Sequence, residues 1–270
     1  MKATVLVDNI KSDGIKGEWG LSILCEFNGK KVLLDTGASS LFAKNAATLG
    51  ISLKDVDCAA LSHAHYDHAD GMRTFFKENE KAEFYLRDGT AENCFAKKWF
   101  ISKYIGIPRG ILNEYKDRIV FANGIYPICD GVNLIPHTTA NLDRIGKREN
   151  MYIKENNIFK PDGFVHEQSL VFDTPKGLVV FNSCCHGGAD NIINEALEAF
   201  PGKNVYALIG GFHIFNKSES VIRNLSKRIK ETGIEKVYTG HCTGKRAYRI
   251  MRDELGDIVN QLKAGMVIEL

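Results

Sequence analysis

The chain has 270 residues, 44% apolar and 25% charged, an ordinary globular composition with length for one large core or two small ones. A formal net charge of +2, with no long block of like charge, argues against a protein that binds nucleic acid through bulk charge. Met1-Lys2-Ala3-Thr4-Val5 passes straight into an alternating apolar pattern and lacks the apolar run of a signal peptide. No window approaches eighteen apolar residues, so neither a membrane span nor a membrane partner is expected. Seven cysteines, Cys25, Cys58, Cys94, Cys129, Cys184, Cys185 and Cys242, are odd in number and irregular in spacing. That pattern reads as reduced, mostly buried thiols in a cytoplasmic protein. Cys184, Cys185 and Cys242 stand apart because each lies close to a histidine at the end of an apolar strand.

Ala3–Val7, Leu21–Phe27 and Lys31–Leu34 read as strands, and Asn28-Gly29 between the last two is a hairpin signal. After Asp35-Thr36-Gly37, Ser39 or Ser40 can cap a helix carrying Phe42, Ala46 and Leu49, which Gly50 stops. Val56–Leu61 is a strand, Met72–Glu78 a helix and Phe84–Leu86 a strand. From about 92 to 128 the pattern weakens, and an insertion, helical in part, is expected to overhang a site. Regular structure resumes near Val132–Pro136. Ser169–Phe172 and Leu178–Phe181 are strands joined by the turn Asp173-Thr174-Pro175-Lys176-Gly177. Ile192–Phe200 is a helix, Val205–Ile209 a strand and Ser218–Thr232 a helix. Val237–Thr239 is a strand, Arg246–Gly256 begins the last helix, and Met266–Leu270 is a closing strand. No internal repeat and no linker divides the chain, so residues 1–270 are expected to form one domain.

The densest chemistry is Leu61-Ser62-His63-Ala64-His65-Tyr66-Asp67-His68. Four metal-ligand side chains, His63, His65, Asp67 and His68, fall within six positions at the end of a strand. Imidazole and carboxylate together suit Zn, Fe or Mn. His63 and His65 are two apart and leave an extended chain on one side, while Asp67 and His68 can face a second ion.

This stretch resembles the His-x-His-x-Asp-His signature of the metallo-β-lactamase superfamily. Val5–Asn9, Trp19–Ser22, Leu33–Gly37, Asn182–His186, Gly210–His213 and Gly240–Gly244 resemble that superfamily's following segments in order. They point to the branch of metal-dependent hydrolases that also includes members named as a dihydropterin ribofuranosyl-aminobenzene phosphate synthase. The resemblance implies an α+β fold, a four-layer αββα sandwich with ligand loops meeting at one edge between two sheets.

It also implies two divalent ions, Zn with Fe or Mn as alternatives. One would take His63, His65 and a later histidine; the other would take Asp67, His68 and a last histidine, best matched by His241. The chain departs from the usual pattern where a bridging carboxylate is expected: Cys184 stands there, with His186 two residues on. His186 is taken as the third histidine, with His137 and His166 as competitors. Cys184 is either a thiolate ligand or a packing residue. His213 is placed at substrate or metal. Asp35 is expected to orient a ligand histidine. Arg109, or the Arg144-Ile145-Gly146-Lys147-Arg148 cluster, is a candidate for an anionic substrate group, against a solvated loop.

Two readings follow. In the first, the protein is a metal-dependent hydrolase that uses a metal-bound hydroxide, with Asp67 holding it, on an ester or phosphoester of a small molecule. In the second, it is a non-catalytic metal-containing ligand or redox sensor, kept open by the Cys184-Cys185-His186 replacement. A pterin-related synthase is a third reading. The partner expected in each is a small molecule, and the oligomeric state is left open.

Overall fold

A computed structural model describes residues 1–270. Two seven-stranded sheets lie face to face. The first takes Val267–Glu269, Lys2–Val7, Ser22–Phe27, Lys30–Leu34, Cys58–Ala60, Glu83–Arg87 and Ile119–Ala122 in that spatial order. The second takes Val259–Gln261, Lys236–Thr239, Val205–Gly210, Gly177–Phe181, Gln168–Thr174, Val132–Pro136 and Tyr126–Cys129. No helix is long and apolar enough to cross a membrane.

The strands are apolar on both faces because both faces are covered. Val5, Leu34 and Val179 point between the sheets, where they join Phe172, Phe181 and Ile209. Their chain neighbours Leu6 and Leu33 point outward, against Phe42 and Phe75 of the helices Leu41–Thr48 and Met72–Glu78. Val180 likewise meets Ile192, Ile222 and Met251 of the helices Ala189–Ala199, Glu219–Glu231 and Lys245–Leu255. Three apolar layers between four structural layers make the αββα sandwich expected from the sequence.

Several local expectations hold. Asn28 (φ 48°) and Gly29 (φ 74°) form a two-residue turn that pairs Phe27 with Lys30. Ser40 is the N-cap residue of the next helix without a side-chain cap bond, and Ser39 Oγ just before it accepts the Leu41 N–H at 3.0 Å.

The stretch 92–128 is different from expectation. It is helical only at Ile111–Glu114, and between turns and irregular segments it carries the strands Cys94–Lys98, Ile101–Tyr104 and Ile119–Ala122 and the start of Tyr126–Cys129. Cys94–Lys98 and Ile101–Tyr104 form a hairpin that pairs with Met151–Glu155 and Ile158–Pro161 in a separate four-stranded sheet. Ile119–Ala122 belongs to the first main sheet, parallel to Glu83–Arg87. The irregular apolar pattern arises because this hairpin buries only part of one face, so no single period dominates. The cluster Arg144–Arg148 is likewise no loop. It lies on the helix Leu142–Glu149, whose Gly146 sits so close to Asp162 that a Cβ there would come within 2.1 Å of the Asp162 carbonyl oxygen.

Candidate metal centre

Lys2–Val7, Lys30–Leu34 and Cys58–Ala60 run in one direction in the first sheet, and Gly177–Phe181, Val205–Gly210 and Lys236–Thr239 run parallel in the second. Their C-terminal ends deliver, in turn, Asp8-Asn9, Asp35, His63–His68, Ser183–His186, His213 and His241. The site therefore lies at one edge of the sandwich, outside the carboxyl ends of the strands, where loops from both sheets meet.

His63, His65 and His186 are all buried, and each offers a ring nitrogen within 4.8 Å of the other two. His63 Nε2, His65 Nε2 and both ring nitrogens of His186 are buried with no hydrogen-bond partner. Burial and the neighbouring histidines push His63 and His186 well below the usual histidine range, and His65 down to about 3. Three neutral imidazoles with spare lone pairs form a ligand set for a divalent ion.

Asp67, His68 and His241 gather beside them. Asp67 Oδ2 is 3.4 Å from His241 Nε2 and 3.9 Å from His68 Nε2, and the two Nε2 atoms are 3.2 Å apart. Burial opposes the Asp67 charge, but His68 and His241 hold its carboxyl below the usual carboxylate range. Burial likewise lowers His241, yet Cys242 and Asp67 pull it up to about 9. The point between Asp67 and His241 thus favours a positive charge, which a divalent ion supplies.

The hydrogen-bond network assigns the tautomers. Asp35 is fully buried and accepts from the Ser62 N–H (2.7 Å), Ser62 Oγ (2.8 Å), Ser183 Oγ (2.5 Å) and His68 Nδ1 (2.8 Å). Because Ser62 gives its proton to Asp35, its oxygen accepts from His63 Nδ1 at 2.9 Å. Asn9 Oδ1 accepts from His241 Nδ1 at 3.0 Å, and its amide donates to the His241 carbonyl. In all three histidines Nδ1 carries the proton and Nε2 is left for an ion. Asp8 Oδ2 fixes the same loop by accepting the His241 N–H, and a Cβ at Gly240 would approach that oxygen to 2.4 Å.

Cys184 Sγ is 3.5 Å from His68 Nε2 and 3.3 Å from Cys242 Sγ. It falls within ligand reach of His63 and His68, of His241, and of His186 and His213. The sulfur therefore sits between the two ligand sets, where the resemblance places a bridging carboxylate. Burial pushes Cys184 up; burial opposes the Cys242 thiolate too, but the contact with Cys184 and the His241 charge hold Cys242 down. Cys185 faces the other way, packing with Ile192 and Phe212.

The competitors are elsewhere engaged. His137 Nε2 and Nδ1 each lie 2.9 Å from a carboxylate, of Glu167 and Glu195. Burial lowers its pKa, but these carboxylates carry it up to about 10. With both ring nitrogens facing carboxylates, it is held toward the imidazolium. His166 stands with His65, Cys94 and Asp162 in a second buried group close enough to hold an ion, but its Nδ1 accepts the Ala64 N–H at 3.2 Å and its Nε2 donates to Asp162 at 3.1 Å. Arg109 lies over the Tyr104 ring, 4.2 Å from its centroid, and lines neither the cleft nor the cavity beside it.

Sequence reasoning missed a bracket at Asp162–Gln168. Phe164 stacks on His186 (4.3 Å, 12°), the His186 N–H donates to Glu167 Oε1, and Gln168 donates to the carbonyls of Ser62 and Leu61. No motif marks it, because it acts through backbone contacts and one ring face. Asp8-Asn9 was more legible, being a polar pair at a strand end like Asp35-Thr36. Asp35, Phe164, Cys185, His213 and His241 all have φ between 43° and 58°. Left-handed backbone at five non-glycine residues, which costs on the order of 1–3 kcal/mol each, is concentrated where the contacts over-determine it.

His137 gives a pH prediction. Its folded pKa lies above the unfolded value, so its stabilisation is complete below about 6.5 and is lost as pH rises through about 10. Denaturant unfolding followed from pH 6.5 to 10 should show falling stability in wild type and a flatter profile in His137→Gln. Parallel profiles would contradict the buried imidazolium.

A cleft of about 250 Å³ reaches this centre. Asp67, His213 and Glu149 give it polar walls, and Trp19, Tyr66, Ile105, Met151 and Phe215 give it apolar ones. Trp19 stands edge-on to Phe215 (5.6 Å) and beside His241 (5.3 Å), and is 44% exposed at the mouth.

The family model of the metallo-β-lactamase superfamily matches residues 20–157, and the chain belongs to that superfamily. It is similar to the 7,8-dihydropterin-6-methyl-4-(β-D-ribofuranosyl)-aminobenzene-5'-phosphate synthase of Methanocaldococcus jannaschii, at 30% identity over 93% of this chain and 89% of that protein. A solved structure described as a metal-dependent hydrolase of the β-lactamase superfamily is also 30% identical, with a TM-score of 0.82, covering 100% of this chain and 99% of the other. Zn(2+)-bound PqqB from Methylobacterium extorquens shares the fold at 10% identity, with a TM-score of 0.57 over 100% of both chains.

Proposed function

We propose that the protein is a metal-dependent hydrolase of a small-molecule ester or phosphoester, with two divalent ions held by His63, His65 and His186 and by Asp67, His68 and His241. The observation that carries this reading is the set of buried, partnerless ring nitrogens on His63, His65 and His186 beside the Asp67–His68–His241 group. When bound, such a pair supplies Lewis acidity and lowers the pKa of water toward 7. The chain's own residues do the rest. Asp67 lines the cleft and orients the attacking water. Asp35, Ser62 and Asn9 hold the imidazoles in register. His213 lines the cleft beside Cys184 and His186, with a buried Nδ1 that has no partner, and serves as a contact to substrate or to an ion. Trp19 and Phe215 offer ring faces and edges to a planar apolar part of the substrate.

A panel of phosphodiesters, phosphomonoesters, lactones and thioesters offered to the metal-loaded protein tests this. Turnover that chelation removes, and that falls by at least about 10³-fold in His63→Ala, is the expected result. A panel with no metal-dependent turnover would sink the hydrolase.

The synthase reading is favoured by one observation, the 30% identity to the dihydropterin synthase across nearly the whole chain. In that case the aromatic mouth receives the pterin. Coupling of a ribofuranosyl-aminobenzene phosphate to a dihydropterin whose 6-methyl carbon carries a leaving group such as a diphosphate ester, with release of that group and a proton as the new bond forms, would select it.

A further inference from the structure

The hairpin formed by Cys94–Lys98 and Ile101–Tyr104 turns at Trp99-Phe100, with Lys98 paired to Ile101. Trp99 sits in left-handed backbone at φ 58°. A two-residue turn asks for Gly, Asn or Asp at such a position. The chain's turns at Asn28-Gly29, between Phe27 and Lys30, and at Asn156-Asn157, between Glu155 and Ile158, obey that rule. At the hairpin tip a bulky aromatic residue takes the strained position instead. Nothing in the fold compensates. Trp99 is 83% exposed, Phe100 100% and Ile101 76%, so three successive large apolar side chains stand in water. Single exposed apolar residues are ordinary, but a contiguous group at a projecting turn marks a contact surface.

The charge around the tip is one-sided. The stretch from Cys94 to Tyr104 has no acidic residue and three lysines, Lys97, Lys98 and Lys103. Glu92, just before the hairpin, is turned to the N–H groups of Gly110 and Leu112. The Lys97 N–H donates to the Asn150 carbonyl at 2.8 Å, which sets the strand against the end of the helix Leu142–Glu149 and its exposed Lys147. Glu149 at that helix end is occupied by Lys217 and Arg148. The tip is therefore an apolar wedge with a collar of cations.

Shape and chemistry together select the partner. The wedge is the convex end of a two-stranded turn, with no groove to hold a peptide. A single-stranded nucleic acid would stack on the two aromatic rings and leave Ile101 unused. A lipid bilayer takes Trp, Phe and Ile together at the boundary of headgroups and acyl chains, and anionic headgroups meet the lysines.

We propose that the Trp99-Phe100-Ile101 tip is a docking wedge for an anionic lipid bilayer, inserting at the headgroup level with Lys97, Lys98, Lys103 and Lys147 on the lipid phosphates. Three apolar residues are far too few to span a bilayer, so the contact is peripheral, and the lack of a spanning segment in the sequence does not bear on it. Ala96 of the hairpin and Ile105 just after it line the metal cleft, so the docked tip sets that cleft beside the lipid surface.

Co-sedimentation of the full chain with vesicles tests it, using phosphatidylcholine alone and phosphatidylcholine in which about a third of the lipid is replaced by phosphatidylserine. The wild type should bind the anionic vesicles at least about tenfold more tightly than the neutral ones, and less tightly in high salt. Phe100→Ser and Trp99→Gly should each weaken binding by about tenfold, and Lys98→Gln by about fivefold. Trp99→Gly puts glycine where the turn favours it, so that variant keeps its fold. With Trp19, the chain's other tryptophan, replaced by Phe, emission reports on Trp99 alone. It should shift to the blue on binding and be quenched by lipid brominated in its acyl chains. No binding to anionic vesicles, or equal binding by wild type and Phe100→Ser, would overturn the wedge. So would oligothymidine binding at Trp99 without vesicle binding, which would assign the tip to a single strand. A dimer lost in Phe100→Ser, again without vesicle binding, would assign it to a second copy.

Discussion

Asp35→Asn is expected to lower metal affinity by about 10–100-fold while leaving the chain folded. The carboxylate receives four donors in a fully buried position, and His68 Nδ1 is one of them. An amide keeps the volume but turns one acceptor oxygen into a donor facing Ser62, Ser183 or His68. His68 then loses the partner that holds Nε2 toward the ion, and Ser62 no longer has a fixed proton direction, which loosens His63 as well. Asp35→Ala should be worse, because all four donors lose their acceptor at once; a loss of roughly 3–5 kcal/mol in stability is expected. Metal titration and denaturant unfolding separate the two variants. Wild-type affinity in Asp35→Asn would reduce Asp35 to a turn former.

The second large effect concerns Cys184. Its sulfur lies within reach of both ligand sets, and a thiolate there would add charge that favours Zn or Fe. Bound metal should therefore protect Cys184 from iodoacetamide, slowing alkylation by at least about tenfold relative to the stripped protein. Cys58 serves as the internal control, since it is buried far from the centre between the sheets and its thiol is pushed up to about 12 by burial and by Cys129. His186→Ala should release the protection if Cys184 and His186 serve one centre. Equal rates for Cys184 with and without metal would make it a packing residue and leave Asp67 as the only anionic ligand.

The sequence made some of this legible for definite physical reasons. His63, His65, Asp67 and His68 are local, so their spacing alone describes half a centre. Asp35, His186 and His241 follow strands, and their order carried them into place through the family resemblance. The sandwich itself also came through the family resemblance; uninterrupted apolar strands permit such layers but do not select them. What was hidden acts over distance. The Phe164 ring on His186, the Glu167 carboxylate on the His186 N–H and the Asn9 amide on His241 are contacts between segments up to 232 residues apart. The fate of His137 depended on Glu167 and Glu195 converging on it, which no spacing announces. The hairpin Cys94–Tyr104 escaped because its partner strands lie fifty residues on, at Met151–Pro161. Arg109 was misplaced for the same reason: its guanidinium rests on Tyr104, a neighbour only once that hairpin forms.

The central claim is the ligand set, and anomalous scattering at metal absorption edges from crystals of the metal-loaded protein tests it most directly. The account predicts two ions, one among His63, His65 and His186, the other among Asp67, His68 and His241, with Cys184 Sγ between them. An ion bound instead by His137 or His166, or no ion after reconstitution, would contradict it.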